Sequence, residues 1–96
     1  MDIEYDIVGY EAEVDEKPDD VFGSAYVNGD CYVFERHKTL KDALHELEMW
    51  YDDEVEKTED GWLVRGFCVE ETVYNDNGDV EDITARYFIG DLREGR

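Results

Sequence analysis

The chain alternates between apolar and polar residues from its second position. Ile3, Tyr5 and Ile7 alternate with Asp2, Glu4 and Asp6, which predicts a half-buried strand with an acidic outer face. The phase changes across Val8-Gly9 and resumes as Tyr10, Ala12 and Val14 against Glu11, Glu13 and Asp15; a glycine at a phase change predicts a β-bulge or a bend. Residues 16–20, with the only proline at Pro18, read as an acidic loop. Asn28-Gly29 stands between the runs 23–27 and 30–35 and predicts a hairpin that pairs Tyr26 with Cys31 and Ala25 with Tyr32.

Thr39, with Asp42 three residues on, predicts the start of a helix running to about Val55. Leu40, Leu44, Leu47, Tyr51 and Val55 fall on one stripe of that helix and should face a sheet. A long strand over 62–74, a turn at 75–78 and a last strand over 80–89 complete the pattern. The order strand, hairpin, helix, hairpin predicts a single α+β domain over residues 1–96. Its antiparallel sheet should have about 4–5 strands, with one helix packed on one face.

Charge changes the picture most. The 96 residues carry 28 acidic and 9 basic side chains, a formal net charge of −19. High charge at low hydropathy is a mark of disorder, but a hydrophobic fraction of 42% in clear alternating runs predicts a folded chain. Solubility asks for a net charge of only about 2–8 in magnitude. Phosphate binding depends on Lys and Arg, which argues against nucleic acid and anionic membrane as direct partners. A basic protein surface is the complement. No leader or membrane span is legible, and Cys31 and Cys68, in apolar runs without a Cys-x-x-Cys spacing, read as free thiols in a reducing cytoplasm.

Catalytic and metal chemistry finds little support. His37 and His45 lack an orienting motif, and His45 with Glu48 has a ligand-like i, i+3 spacing that does not by itself make a site. Asp76-Asn77-Gly78-Asp79 resembles part of a calcium loop, but aligning Gly78 puts Val73 and Thr84 where acidic ligands belong. Loose calcium binding at 15–20 stays open. The chain has no phosphate-cradling glycine loop and no nucleophile elbow. The reading is of a non-enzyme without cofactor or metal.

The acids also have a layout. Residues 2–20 hold nine acids against Lys17, and residues 46–60 hold eight against Lys57. Arg36, Lys38 and Lys41 crowd the start of the expected helix and Asp52, Asp53, Glu54 and Glu56 its end, against the macrodipole at both ends. Asp42, Glu46, Met49, Asp53 and Glu56 form a ridge opposite the apolar stripe. Asp2, Glu4 and Asp6 point the same way about 6.6 Å apart, comparable with successive phosphates. The expected partner-binding residues are therefore Asp2, Glu4, Asp6, Glu11, Glu13, Asp42, Glu46, Met49, Asp52, Asp53 and Glu56.

In size, acidity and hairpin–helix layout the chain resembles the small nucleic-acid-mimicking inhibitors of phages and mobile elements, the anti-CRISPR and anti-restriction proteins. The resemblance implies tight, non-catalytic binding to the nucleic-acid channel of a host nuclease complex. Two rival readings remain: a halophile protein, whose acidity says nothing of function, and a generic acidic interaction module.

Overall fold

The structure, a computed structural model, describes residues 2–88. In chain order it comprises β1 (Asp2–Val14), α1 (Val21–Asn28), β2 (Asp30–His37), α2 (Leu40–Trp50), β3 (Glu54–Lys57), β4 (Trp62–Tyr74) and β5 (Val80–Tyr87). The strands form one curled antiparallel sheet in the order β2-β1-β4-β3, and β5 also pairs with β4. β3 and β5 share the edge of β4 that β1 leaves open: β3 pairs with Trp62 to Arg65 and β5 with Val69 to Tyr74. The fold is α+β, with β4 where the alternation placed it and β5 starting at Val80 as expected but ending at Tyr87, before Phe88; Ile89 lies outside the described residues.

The phase change at Val8-Gly9 is not a bulge in β1. β1 pairs with β4 without interruption from Asp2–Tyr74 to Val14–Trp62. The extra residue is Phe34 of β2, since Ile7 pairs with Glu35 and Val8 with Val33. The apolar phase switches because the sheet is covered on opposite faces at its two ends. Ile7 and Val69 pack with Ala43, Leu44 and Leu47 of α2, while Val8, Tyr10, Ala12, Val64 and Cys68 pack with Ala25 of α1 on the other face. Each half of β1 is apolar only on the side its helix covers.

α1 replaces the expected first hairpin, so Tyr26 and Ala25 do not pair with Cys31 and Tyr32; Cys31 pairs with Tyr10 and Tyr32 with Gly9. Asp20 caps the helix, its side chain accepting from the Gly23 N–H at 3.0 Å, and Asn28 Nδ2 donates to the Ser24 carbonyl at 2.9 Å. Gly29 ends the helix in extended backbone, and a Cβ there would lie 2.0 Å from the Glu11 carbonyl oxygen, so the glycine serves a close approach of the chain to β1. Burial decides for the helix, because the Tyr10–Val14 side of β1 needs cover and Val21, Phe22 and Ala25 supply it.

α2 starts where expected, with Thr39 Oγ1 accepting from the Asp42 N–H at 3.2 Å. It stops at Trp50, short of Val55. Four acids in the next six residues would sit badly at the negative end of the helix dipole. Val55 instead joins β3 opposite Val64 and packs against the α1-side core. At the other end of β4, Gly78 turns the hairpin at φ +85°, and Asn75 Oδ1 accepts from the Asn77 and Asp79 N–H groups at 2.9 and 3.1 Å.

Candidate protein-binding face

Each helix covers half a face, which leaves two half-faces without a helix over them. On the α1 side, the end of the sheet beyond α1 carries a buried polar network. Glu4, Asp6 and Glu70 are only 6%, 2% and 4% exposed. Arg36 Nε lies 3.3 Å from Asp6 and Arg86 Nε 2.9 Å from Glu70; Lys38 pairs with Glu4. The Tyr10 hydroxyl donates to Glu70 at 2.5 Å, and the Tyr74 hydroxyl donates to Asp6. Burial, reinforced by the bond to Asp6, pushes the Tyr74 phenol up to about 12, and burial together with the bond to Glu70 raises Tyr10 as well.

This network corrects two expectations. Glu4 and Asp6 do not line an outer face with Asp2; they are internal, and of the three only Asp2 is exposed. Arg36 and Lys38 do not crowd the helix start as surplus charge, because they neutralise these two carboxylates. The alternation correctly separated the two faces of β1, but the curl of the sheet buries the acidic one.

The other open half-face lies on the α2 side, past the C-terminal end of α2. Strand register aligns Glu11, Arg65 and Glu54 in one row and Glu13, Leu63 and Glu56 in the next. Arg65 pairs with Glu11 through Nε and with Glu54 at 3.3 Å through Nη1. Glu13 and Glu56 flank Leu63 about 10 Å apart, two inter-strand spacings, and both are exposed. Beside these rows opens a largely apolar groove of about 320 Å³, lined by Gly9, Tyr32, Phe34, Tyr51 and Phe67, with Glu11 and Arg65 also on its wall. Phe34, Tyr51 and Phe67 form a ring cluster with centroids 5.3–5.8 Å apart. A Cβ on Gly9 would lie 2.6 Å from the Phe34 ring and 2.8 Å from that of Phe67, so the missing side chain lets the rings close over the strand.

Of the expected partner-binding residues, the fold brings Glu11, Glu13 and Glu56 together on this half-face. Asp52 and Asp53 lie in the loop before β3. Asp53 is not a simple surface charge: it accepts at 3.0 Å from the Phe67 N–H, in the stretch of β4 edge between β3 and β5. Burial raises its carboxyl above the usual range, although the Phe67 bond works the other way. The expected helical ridge is broken. Asp42 and Met49 are exposed on α2, Glu46 is turned toward β2, and Asp53 and Glu56 lie beyond the helix.

Glu54 and the groove aromatics were not among the expected residues. A signal existed: residues 31–34 are an unbroken apolar run, and on an edge strand such a run leaves side chains uncovered on both faces.

His37, Glu35 and Glu46 form a separate cluster. His37 Nε2 contacts a Glu46 carboxylate oxygen, and one donor atom from each of the three residues lies within 4.8 Å of the others. His45 and Glu48, the pair with ligand-like spacing, do not belong to it. Cys31 and Cys68 are free, the first exposed and the second buried. No helix among the described residues is long and apolar enough to cross a membrane. No family model matches the chain, and comparisons with curated proteins and with solved structures found no match.

Proposed function

We propose that this protein is a non-catalytic inhibitor that binds the basic, nucleic-acid-binding surface of another protein, in the manner of the acidic nucleic-acid mimics. The observation that supports this best is the apolar aromatic groove bordered by carboxylates on one open half-face. Aromatic anchors at the centre with a charged rim are what a protein interface needs: the anchors supply affinity, and the rim supplies steering and orientation.

The cations that pair among the described residues leave that rim largely unneutralised. Arg36, Lys38 and Arg86 serve the buried carboxylates of the opposite half-face. Lys17 and Lys57 lie over the Trp62 ring at 5.6 and 5.1 Å. Among the described residues, Arg65 alone offsets Glu11 and Glu54 on the face itself. Glu13 and Glu56, exposed on either side of Leu63, are left to a partner's Lys and Arg.

A competition experiment tests the reading. The protein should displace DNA, or guide-bound target, from a CRISPR or restriction nuclease complex, with affinity falling steeply as salt rises. Reversing Glu13 and Glu56 together to Lys should weaken displacement at least about tenfold. Reversing Asp79 and Glu81, on the β4–β5 hairpin, should change it little. Equal losses from both pairs, or no displacement by the wild type, would refute a localised mimic face. The exposed edge of β2 favours a second reading, a module that adds a partner strand to its sheet; a complex that nucleic acid does not displace would select it.

A further inference from the structure

We propose that Glu35, His37 and Glu46 form a binding site for a first-row divalent cation of the zinc or manganese kind. The site is independent of the proposed inhibitor role.

Strand alternation sets Glu35 and His37 on the same side of β2, where they pair with Ile7 and Tyr5 on the face that α2 covers. Glu46 reaches them from the middle of α2. The three donors lie within 4.8 Å of one another. Ligands of one tetrahedral ion at 2.0–2.2 Å stand roughly 3.4 Å apart. A small rotation of Glu35, which is exposed, closes the gap on one side, while His37 and Glu46, already in contact, part slightly to admit the ion between them.

Arg36 and Lys38 alternate onto the opposite side of the sheet, where they hold Asp6 and Glu4. Two carboxylates thus converge on an imidazole while the neighbouring lysine and arginine are engaged elsewhere. One imidazole with two carboxylates suits zinc, manganese or ferrous iron; calcium and magnesium prefer all-oxygen sites. Three protein donors leave coordination positions to water.

The diffuse acidity of the surface will also attract cations, so the test must separate the two. Calorimetric titration with zinc chloride, in physiological salt and excess magnesium, should show one saturable site. His37→Gln and Glu46→Gln should each weaken it on the order of tenfold or more, and His45→Gln should leave it unchanged. In the unmodified protein, manganese should broaden the ring proton resonances of His37 well before those of His45. Uptake that is the same in His37→Gln and His45→Gln, or equal broadening of both histidines, would overturn the site.

Discussion

Asp6 and Glu70 stand directly opposite each other on β1 and β4, both almost fully withdrawn from solvent, and each is held by an arginine from a flanking strand. Like charges in facing positions repel. The end of the sheet therefore depends on Arg36, Arg86, Tyr10 and Tyr74 being in place.

Removing one cation should expose that dependence. Arg86 is 31% exposed at its side chain and Arg36 54%, so Glu70 relies more on its partner than Asp6 does. Arg86→Met should cost about 2–3 kcal/mol, below the usual figure for a fully buried pair because part of the arginine is wet. Arg36→Met should cost less. Urea unfolding of both variants checks the order, and adding Glu70→Gln to Arg86→Met should recover part of the loss.

Alkaline pH should unfold this same end. The folded phenol of Tyr74 is raised to about 12, above an ordinary phenol near 10. Its contribution to stability is therefore complete below about pH 10 and disappears as pH rises through about 12. Tyr10 shifts in the same direction. Absorbance at the phenolate band should show late-titrating tyrosines whose ionisation coincides with loss of the circular dichroism signal. Complete tyrosine ionisation near pH 10 with the fold intact would contradict this.

At Asp53 the sign favours the neutral form. Its folded pKa is raised, so the native state holds a proton more readily, and the stability from this group falls as pH rises through that value. Asp53→Asn keeps an oxygen acceptor for the Phe67 N–H and removes the charge. The variant should melt slightly higher than the wild type at neutral pH, whereas Asp53→Ala, which leaves that N–H unbonded, should melt lower. Equal melting temperatures for the two would show that the bond to Phe67 contributes nothing.

Two glycines separate stability from binding. A Cβ at Gly66 would sit 2.7 Å from the Phe22 Cα, in the backbone of α1. Gly66→Ala should therefore lift the helix and cost about 1–3 kcal/mol. At Gly9 the obstructing atoms are the rings of Phe34 and Phe67. Phe34 is half exposed and can swing outward, so Gly9→Ala should disturb the groove and weaken partner binding more than it lowers stability. Denaturant unfolding and the displacement assay, run side by side, distinguish the two effects.

Local chemistry was legible where a few neighbouring residues decide the outcome. The Thr39 cap, the β4–β5 hairpin with its Asn75–Gly78 turn, and the α2 stripe of Leu40, Leu44 and Leu47 all follow from propensity and period. The sequence by itself also determined which residues of β1 share a face, since side-chain alternation is a property of the strand. What lies over each face is not. Tertiary structure alone decided that two helices cover opposite ends of the sheet, which turns the phase change at Val8-Gly9 from a bulge into a change of buried side and makes residues 21–28 a helix. It also decided which acids are a surface. Glu4 and Asp6 look like Glu11 and Glu13 in the sequence, yet the first two are sealed under Lys38, Arg36 and Tyr74 while Glu13 faces water beside Leu63. Desolvation of a carboxylate depends on what packs over it, and those groups come from strands and helices far along the chain.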